Sequence, residues 1–247
     1  MRKYYTRACN FYYGTNAKKL IKKNIALALC GNKSIAFDNI EILSRGKKTK
    51  VINIKDIKKL PNKIKKIVLK DLKKIVFKRK NLNKYTNISK PLIMGVLNLT
   101  PDSFSDGGLF NQSKKAFTHI NNMISKGADI IDIGGESTRP GSKTIPHKVE
   151  WNRLKKTIIN FKKRFPKTFL SIDTRKSYVM LNAIKYKSDL INDVSGFSYD
   201  QEAIGKIKNF NVWKVIHHMQ GTPNTMQINP SYKNVLLDIY DFFEKKI

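Results

Sequence analysis

The sequence predicts an α/β protein in which residues 91–247 form consecutive βα units and residues 1–90 form a small basic α+β extension. Short apolar runs alternate five times with amphipathic helical stretches after Pro91, which is typical of a parallel sheet covered on both faces. Hydrophobic residues make up 40% of the 247 residues, enough for a buried core. We place the domain boundary in the polar, aperiodic stretch 80–90, which ends before Pro91.

Strand and helix signals alternate in the extension. The aromatic run 4–13 predicts a strand, and Asn16 could cap the short helix that follows it. Further strands are predicted over residues 26–29 and 34–43. Apolar residues then recur at helical spacing between lysines over residues 64–76, which predicts an amphipathic basic helix. Such a helix could lie on a membrane, but packing of its apolar stripe against protein is commoner, and we expect packing.

Charge is distributed unevenly along the chain. Residues 1–90 carry 26 Lys and Arg against four acidic residues, whereas residues 91–247 carry 23 against 14. A strongly basic domain can bind nucleic acid or an anionic surface through phosphate contacts. The basic residues are nearly all Lys, however, and Arg is the better sign of phosphate or base recognition. We therefore favour compositional bias and a solvated face, with no nucleic-acid partner.

Export and membrane spanning are also disfavoured by the sequence. No run approaches the roughly 18 apolar residues that a membrane span needs. The N-terminus lacks the apolar core of a signal peptide. The two cysteines, Cys9 and Cys30, have no metal-ligand partners at useful spacing. We expect a cytoplasmic protein with small-molecule partners.

Five βα units are predicted after Pro91. No Gly-x-Gly-x-x-Gly follows the first strand, which argues against a dinucleotide fold. Periodicity alone does not separate a doubly wound sheet from a (β/α)₈ barrel. The predicted strands cover residues 93–97, 129–133, 169–172, 190–194 and 212–216, and the predicted helices cover residues 113–126, 147–165, 176–187, 201–210 and the stretch from 231 onward.

Polar side chains follow each predicted strand. Asn98, the segment 134–141, Asp173, Asn192 and His217 stand at the five strand exits. In a (β/α)₈ barrel those ends converge on one mouth, where active sites are built. Each signal alone has a simpler reading, because a strand-end Asp can cap the next helix and an Asn can belong to a turn. Polar residues at the ends of all five predicted strands together indicate an enzyme.

The strand-end loops suggest the chemistry. Arg139 lies on a Gly-bracketed turn, where its guanidinium is suited to phosphate oxygens. Asn98 can offer a neutral oxygen to Mg²⁺, which keeps several waters and uses substrate phosphates as further ligands. Acidic and glycine residues over 102–108 suggest a lid that closes over substrate. Asp173 with Asn192 could hydrogen-bond the edge of a flat heterocycle. A phosphorylated heterocyclic substrate is therefore predicted.

Two of these loops resemble signature loops of the dihydropteroate synthases. They are Met-Gly-Val-Leu-Asn-Leu-Thr-Pro-Asp-Ser-Phe-Ser-Asp-Gly-Gly at 94–108 and Gly-Gly-Glu-Ser-Thr-Arg-Pro-Gly at 134–141. Motifs at 171–174, 191–194 and 218–223 follow in the family's order. The resemblance implies a transferase of folate biosynthesis. It would join p-aminobenzoate to 6-hydroxymethyl-7,8-dihydropterin diphosphate and release diphosphate.

The resemblance also implies residue roles. Asn98 would be the Mg²⁺ ligand, and Arg139 and Asp173 would be the catalytic residues. Asp173 would also hold the pterin ring, and Arg139 would also contact the diphosphate. The remaining substrate-binding residues would be Asn192 and Met219 at the pterin, Thr138 at the diphosphate, and Phe104, Pro140 and Thr138 at the p-aminobenzoate site, where sulfonamides compete.

The resemblance stops in the helix after the fifth strand. The family's later Asp-Pro-Gly-x-Gly-Phe-Gly-Lys stretch, lysine loop and Arg-x-His pair are absent from the sequence. The residues after 90 are too few for a full (β/α)₈ barrel, which takes about 250. We therefore expect an incomplete barrel, a C-terminally truncated chain that is inactive or insoluble as it stands, and a homodimer when full length.

A rival in the same fold class is a pterin-binding methyltransferase domain. It would share the pterin-holding Asp and Asn, but it needs no diphosphate-binding loop. The Thr-Arg-Pro-Gly loop at 138–141 argues against it. A rival of another class is a module for nucleic acid or an anionic surface in residues 1–90, which could coexist with the enzyme.

Overall fold

The computed structural model describes residues 3–78, 91–100, 109–137 and 142–247. The chain forms two compact units, which are described separately. The first unit comprises residues 1–80 with 232–241, and the second comprises residues 81–231 with 242–247. The boundary predicted over residues 80–90 lies outside the described residues and stays a prediction.

The first unit is built on an antiparallel sheet with one long central strand. That strand pairs with all three others, because it is long enough to hold one neighbour on one side and two on the other. Phe37, Ile40 and Val68 are fully buried between the sheet and a helix. The strands are β1 (Tyr5–Tyr13), β2 (Leu27–Leu29), β3 (Asn32–Leu43) and β4 (Lys50–Asn53), and the helices are α1 (Gly14–Lys22), a 3₁₀ helix (Ile54–Lys59) and α2 (Asn62–Val76).

Two details of the extension differ from the sequence-based prediction. Asn16 does not cap α1, because the helix already begins at Gly14, and no side chain caps it. Gly14 takes a φ of +58°, a backbone conformation that costs glycine little, and the helix begins three residues earlier than a cap at Asn16 would place it. Strand β4 was not predicted, since it has only four residues and its first two are exposed.

The second unit contains a five-stranded parallel sheet whose order follows the chain. This is the arrangement that five consecutive βα units predict. The strands are β5 (Met94–Asn98), β6 (Ile130–Gly134), β7 (Phe169–Asp173), β8 (Leu190–Asp193) and β9 (Trp213–Ile216). The helices after these strands are α3 (Leu109–Ser125), α4 (His147–Arg164), α5 (Ser177–Lys185), α6 (Ala203–Ile207) and α7 (Val235–Lys246), of which residues 235–241 are assigned to the first unit.

One face of this sheet is apolar and carries the main core. Alternate strand residues project to the same face, so Ile131 and Ile133 of β6 share that face. They pack with Leu154 and Ile158 of α4, and all four are fully buried. The opposite face is apolar at the start of the strands, where Ile130, Phe169 and Leu190 form a second cluster, and it carries polar residues toward their carboxyl ends.

The last helix begins later than predicted. It starts at Val235 rather than near residue 231, because Asn234 Oδ1 accepts a hydrogen bond from Leu237 N at 3.1 Å. An Asn in this position caps a helix. Val235 is 55% exposed, whereas Leu237 is buried. Among the described residues no helix is long and apolar enough to cross a membrane.

Candidate active site at the strand ends

Four strand-end residues of the second unit form one row across the sheet. Asn98 pairs with Gly134, Gly134 with Asp173, and Asp173 with Asn192 in the parallel register. Directly opposed residues of neighbouring strands project to the same face. The structure therefore brings together three of the residues singled out in the sequence, Asn98, Asp173 and Asn192, as their place at strand exits predicted.

Gly134 keeps the centre of this row open. A Cβ atom at this position would lie 3.2 Å from Asn98 Oδ1 and 3.5 Å from Asp173 Oδ2. Both side-chain oxygens thus point toward the space above the glycine. A larger residue would fill the gap between them, so glycine preserves an opening lined by oxygen acceptors.

Asp132 supports the row from one layer below and was missed in the sequence analysis. It precedes Gly134 by two residues, lies on the same face and is 4% exposed. Its carboxylate accepts from Ser171 Oγ at 2.5 Å and from Asn192 Nδ2 at 3.0 Å. A single Asp inside the apolar run 130–133 was the signal that could have found it, because buried carboxylates need partners.

Asn192 is held in one orientation with an unused acceptor. Its Nδ2 is committed to Asp132, and its Oδ1 is buried with no hydrogen-bond partner in the described part of the chain. A buried carbonyl oxygen without a donor costs free energy. A ligand that donates a hydrogen bond here would remove that cost.

Asp173 has an altered affinity for protons. Burial, together with the negative charges of Asp132, Glu150, Asp193 and Glu136, raises its pKa to about 7. Burial also raises the pKa of Asp132, while its hydrogen bonds from Ser171 and Asn192 oppose that rise. Near neutral pH Asp173 is therefore close to half protonated, which suits a group that meets a cationic or proton-donating ring.

The hydrogen bonds decide whether the strand-end residues serve only as a helix cap or as part of a turn. Asp200, rather than Asp173, accepts from Ser177 N at 2.8 Å at the start of α5, so Asp173 is not the cap of that helix. Asp193 accepts from Ser195 N and Oγ at 2.8 and 2.7 Å and from Phe197 N at 3.1 Å. Asp193 therefore serves the turn after β8, whereas Asn192 faces the row.

A buried cluster of charges, the Glu136 cluster, lies beside the row. It consists of Glu136, Glu150, Arg175 and Lys176, none more than 6% exposed. Lys176 Nζ donates to Glu136 Oε1 at 2.8 Å and to Glu150 Oε2 at 2.6 Å. Arg175 donates to Glu136 Oε2 through Nε at 3.1 Å and Nη2 at 2.9 Å. These partners are 26 to 40 residues apart, and sequence reasoning did not find them.

Met219 and the two adjacent histidines follow β9. Met219 is half-buried and lines a cavity of about 190 Å³ with Arg175 and Phe242. The His218 ring packs edge-on against Phe242, with centroids 4.7 Å apart, whereas His217 lies close enough to Asp132 to lower its pKa. The two adjacent histidines therefore face different surroundings.

Asn98 is the one predicted metal ligand, and its side chain is exposed at the end of β5. In residues 3–78, 91–100, 109–137 and 142–247 no group of three or more His, Cys, Asp or Glu could hold a metal ion. A single amide oxygen suits Mg²⁺ that keeps its waters and takes further ligands from substrate phosphates. The predicted role of Asn98 stays a prediction.

The remaining predicted site residues cannot be placed. Phe104, Thr138, Arg139 and Pro140 lie outside the described residues. Their predicted roles at the diphosphate and p-aminobenzoate sites therefore stay predictions. On either side of the segment 138–141, two described residues are joined by a hydrogen bond from Ile145 N to Glu136 Oε1 at 2.9 Å.

Comparison with known proteins agrees with the geometry. Residues 94–247 match a family model described as "Pterin binding enzyme". The chain is 41% identical over 164 residues to the dihydropteroate synthase of Haemophilus influenzae, covering 66% of this chain and 59% of that protein. It is 38% identical over 161 residues to the Escherichia coli (strain K12) enzyme of the same name, covering 65% and 56%. The chain therefore spans less than three fifths of the length of these relatives.

Solved structures give the same result. A Yersinia pestis dihydropteroate synthase with a sulfonamide drug complex matches at 38% identity and a TM-score of 0.59, covering 65% of this chain and 58% of that one. A Burkholderia cenocepacia dihydropteroate synthase complexed with 7,8-dihydropteroate matches at 37% identity and a TM-score of 0.55, covering 65% and 53%. The predicted fold class, five βα units of a (β/α)₈-type barrel, is confirmed by the sheet and these matches.

Proposed function

The chain belongs to the family of pterin-binding enzymes, and on that premise we propose that it serves dihydropteroate synthesis. The reaction is the transfer of the 6-hydroxymethyl-7,8-dihydropterin group from its diphosphate ester to p-aminobenzoate, with release of diphosphate. One observation carries the proposal above the others. Asp173 and Asn192 stand side by side above Asp132, and the Asp173 carboxyl group faces the same space as the Asn192 amide oxygen, which has no hydrogen-bond partner among the described residues.

This pair suits the edge of a pterin ring. Such an edge presents N–H and NH₂ donors, and the pair offers Asn192 Oδ1 and the Asp173 carboxylate as acceptors. Because Asp132 fixes Asn192 from below, the amide cannot turn its donor toward the ligand without losing a buried hydrogen bond. The site is therefore preorganised for a ring that donates.

Asp173 also suits the charge change of the reaction. As the diphosphate leaves, positive charge develops on the pterin, and an ionised carboxylate at hydrogen-bond distance stabilises it in a dry site. Burial and the neighbouring carboxylates, which raise the pKa of Asp173, make its ionised form costly when no cation is near. A cationic ring removes that cost, so this site favours the ring most strongly when its charge is greatest.

Leaving-group charge needs compensation at the other end of the row. We propose that Asn98 holds Mg²⁺ there and that Arg139 contacts the diphosphate. Mg²⁺ supplies positive charge to the leaving diphosphate when bound. The support on the described residues is the exposed Asn98 oxygen beside the Gly134 opening. Thr138, Phe104 and Pro140 are proposed to complete the diphosphate and p-aminobenzoate sites, and sulfonamides to compete at the latter.

The setting of the protein is proposed from the family resemblance. We infer that the full-length protein is a homodimer acting on small molecules in the cytoplasm. Gel filtration with light scattering of the full-length protein checks the oligomeric state, and twice the mass of one full-length chain is the expected result.

Pterin binding by the full chain tests the proposed function. Titration with 6-hydroxymethyl-dihydropterin, followed by pterin fluorescence, should show saturable binding that Asp173→Asn weakens about ten- to a hundredfold, because a charged hydrogen-bond partner is lost. Asp189→Asn is the matched control. Asp189 accepts from Leu170 N at 2.8 Å and pairs with Lys162 at the opposite end of the same sheet. Equal weakening by both variants, or no saturable binding at all, would overturn the proposal.

A further inference from the structure

Asp132 contacts two other strands of the parallel sheet from its place below the strand-end row. It belongs to β6 and is directly opposed to Ser171 of β7. Its Oδ1 accepts from Ser171 Oγ at 2.5 Å, and its Oδ2 accepts from Asn192 Nδ2 of β8 at 3.0 Å. Because β7 lies between β6 and β8 and neighbouring strands are about 4.8 Å apart, the second bond reaches across a whole strand.

The small side chain of Ser171 leaves room for this contact across β7. Ser171 is fully buried on the same face as Asp132, and its hydroxyl group donates to one of the two carboxylate oxygens. Burial raises the pKa of Asp132, whereas the hydrogen bonds from Ser171 and Asn192 and the nearby His217 oppose that rise. Both oxygens of this buried carboxylate are therefore satisfied by donors from other strands.

The carboxylate decides which end of the Asn192 amide turns toward it. An ionised carboxylate only accepts hydrogen bonds, whereas an amide group both donates and accepts. Asn192 Nδ2 accordingly faces Asp132, and Oδ1 is left with no hydrogen-bond partner in the ranges that the structure describes. Turning the amide over would bring two acceptors together with no proton between them, at the cost of a buried hydrogen bond.

We propose that Asp132 is a positioning residue that selects the ligand ring: by holding Asn192 Nδ2, it presents Oδ1 to the ring, which must offer an N–H donor there. This inference deepens the proposed function and rests on it. A pterin carries an amino group between its two pyrimidine nitrogens, and a lumazine carries a carbonyl oxygen at the same position. The site should therefore bind a pterin in preference to the matching lumazine.

An amide in place of the carboxylate tests the proposal. In Asp132→Asn the new side chain donates as well as accepts, so Asn192 can turn over and keep its buried hydrogen bond. The full chain is titrated at pH 8 with 6-hydroxymethyl-7,8-dihydropterin and with the corresponding dihydrolumazine, and binding is followed by ring fluorescence. The unaltered chain should prefer the pterin by at least about tenfold, because the lumazine oxygen meets a buried acceptor.

Asp132→Asn should reduce this preference by about tenfold, mainly because it binds the lumazine more tightly than the unaltered chain does. A gain of affinity for the mismatched ring is a result that damage to the fold does not produce. Asp132→Ser is a second variant that also removes the group that only accepts. It should lower the preference in the same direction, and thermal unfolding shows which variants fold.

Three further variants separate the orientation of Asn192 from general damage. Ser171→Ala removes the other hydrogen bond to Asp132 but leaves its carboxylate, so the preference should stay within about twofold. Asp189→Asn makes the same substitution at the opposite end of the sheet and should leave the preference unchanged. In an Asn192→Ala background, Asp132→Asn should have no further effect on the preference, because Asp132 acts through Asn192.

The possible results are distinct. Tighter binding of the lumazine by Asp132→Asn, with a reduced preference for the pterin, supports the role of Asp132. Equal weakening of both rings, an unchanged preference, or an unaltered chain that binds both rings equally overturns it. Absence of pterin binding by the unaltered chain contradicts the proposed function instead.

Discussion

The two units of this chain differ in how far their lysine–carboxylate ion pairs are exposed to solvent. In the first unit Lys59 pairs with Asp56 at the surface, with side chains 73% and 45% exposed. In the second unit Lys176 pairs with Glu136 and Glu150, and none of the three side chains is more than 8% exposed. The first unit carries most of the chain's net charge, yet among the described residues the ion pairs with both side chains less than 10% exposed lie in the second unit. Burial, rather than the number of charges, indicates where function lies.

The largest expected effect comes from breaking a buried pair. Lys176→Met should lower the free energy of unfolding of the second unit by about 3–5 kcal/mol, because it leaves two buried carboxylates without their shared cation. Both tryptophans, Trp151 and Trp213, belong to this unit, so urea unfolding followed by tryptophan fluorescence measures the loss. Lys59→Met is the surface counterpart and should leave unfolding by circular dichroism unchanged. Similar losses of stability in Lys176→Met and Lys59→Met would contradict the difference between the buried and the exposed ion pair.

The next largest expected effect is a dependence of pterin affinity on pH, which follows from the protonation of Asp173. If the pterin ring binds the ionised carboxylate, affinity should rise about tenfold between pH 6 and pH 8, because the pKa of about 7 lies midway. Repeating the fluorescence titration with Asp173→Asn removes any contribution from the ring's own titration. A rise of the same size in that variant would show that Asp173 is not the group responsible.

The two units should also respond to acid in opposite directions. The raised pKa of Asp173 contributes stability that is fully present below the unfolded pKa and is lost as pH rises through about 7. In the first unit, hydrogen bonding to Arg45 lowers the pKa of Asp238, so its contribution is present above the unfolded pKa and lost as pH falls. Carbon-13 NMR of the carboxyl groups checks both, with midpoints near 7 for Asp173 and below the ordinary Asp value for Asp238.

The smallest effect concerns helix caps. Asn234→Ala should cost about 1 kcal/mol, because Asn234 Oδ1 caps α7. Asn16→Ala, at the position where the sequence predicted a cap and the structure shows none, should not change stability measurably. Thermal unfolding of the two variants compares them directly, and a larger loss in Asn16→Ala would contradict the described start of α1.

The strands and the row of site residues could be predicted because both depend on local sequence. Each strand of the second unit is a mainly apolar run, and parallel register then places Asn98, Asp173 and Asn192 together. The Glu136 cluster could not be predicted in this way. Its members come from α4 and from the segments that follow β6 and β7, and periodicity carries no information about which charged residues meet across such separations. Asp132 escaped notice because it counted as one polar residue in an apolar run.

A crystal structure of the full chain with 6-hydroxymethyl-dihydropterin tests most directly whether the strand-end row binds the pterin ring. We expect the ring to lie above Asp132, with ring donors within hydrogen-bond distance of the Asp173 carboxylate and of Asn192 Oδ1. A ring bound elsewhere, or one that leaves Asn192 Oδ1 unpaired, would contradict the assignment of this strand-end row as the pterin site.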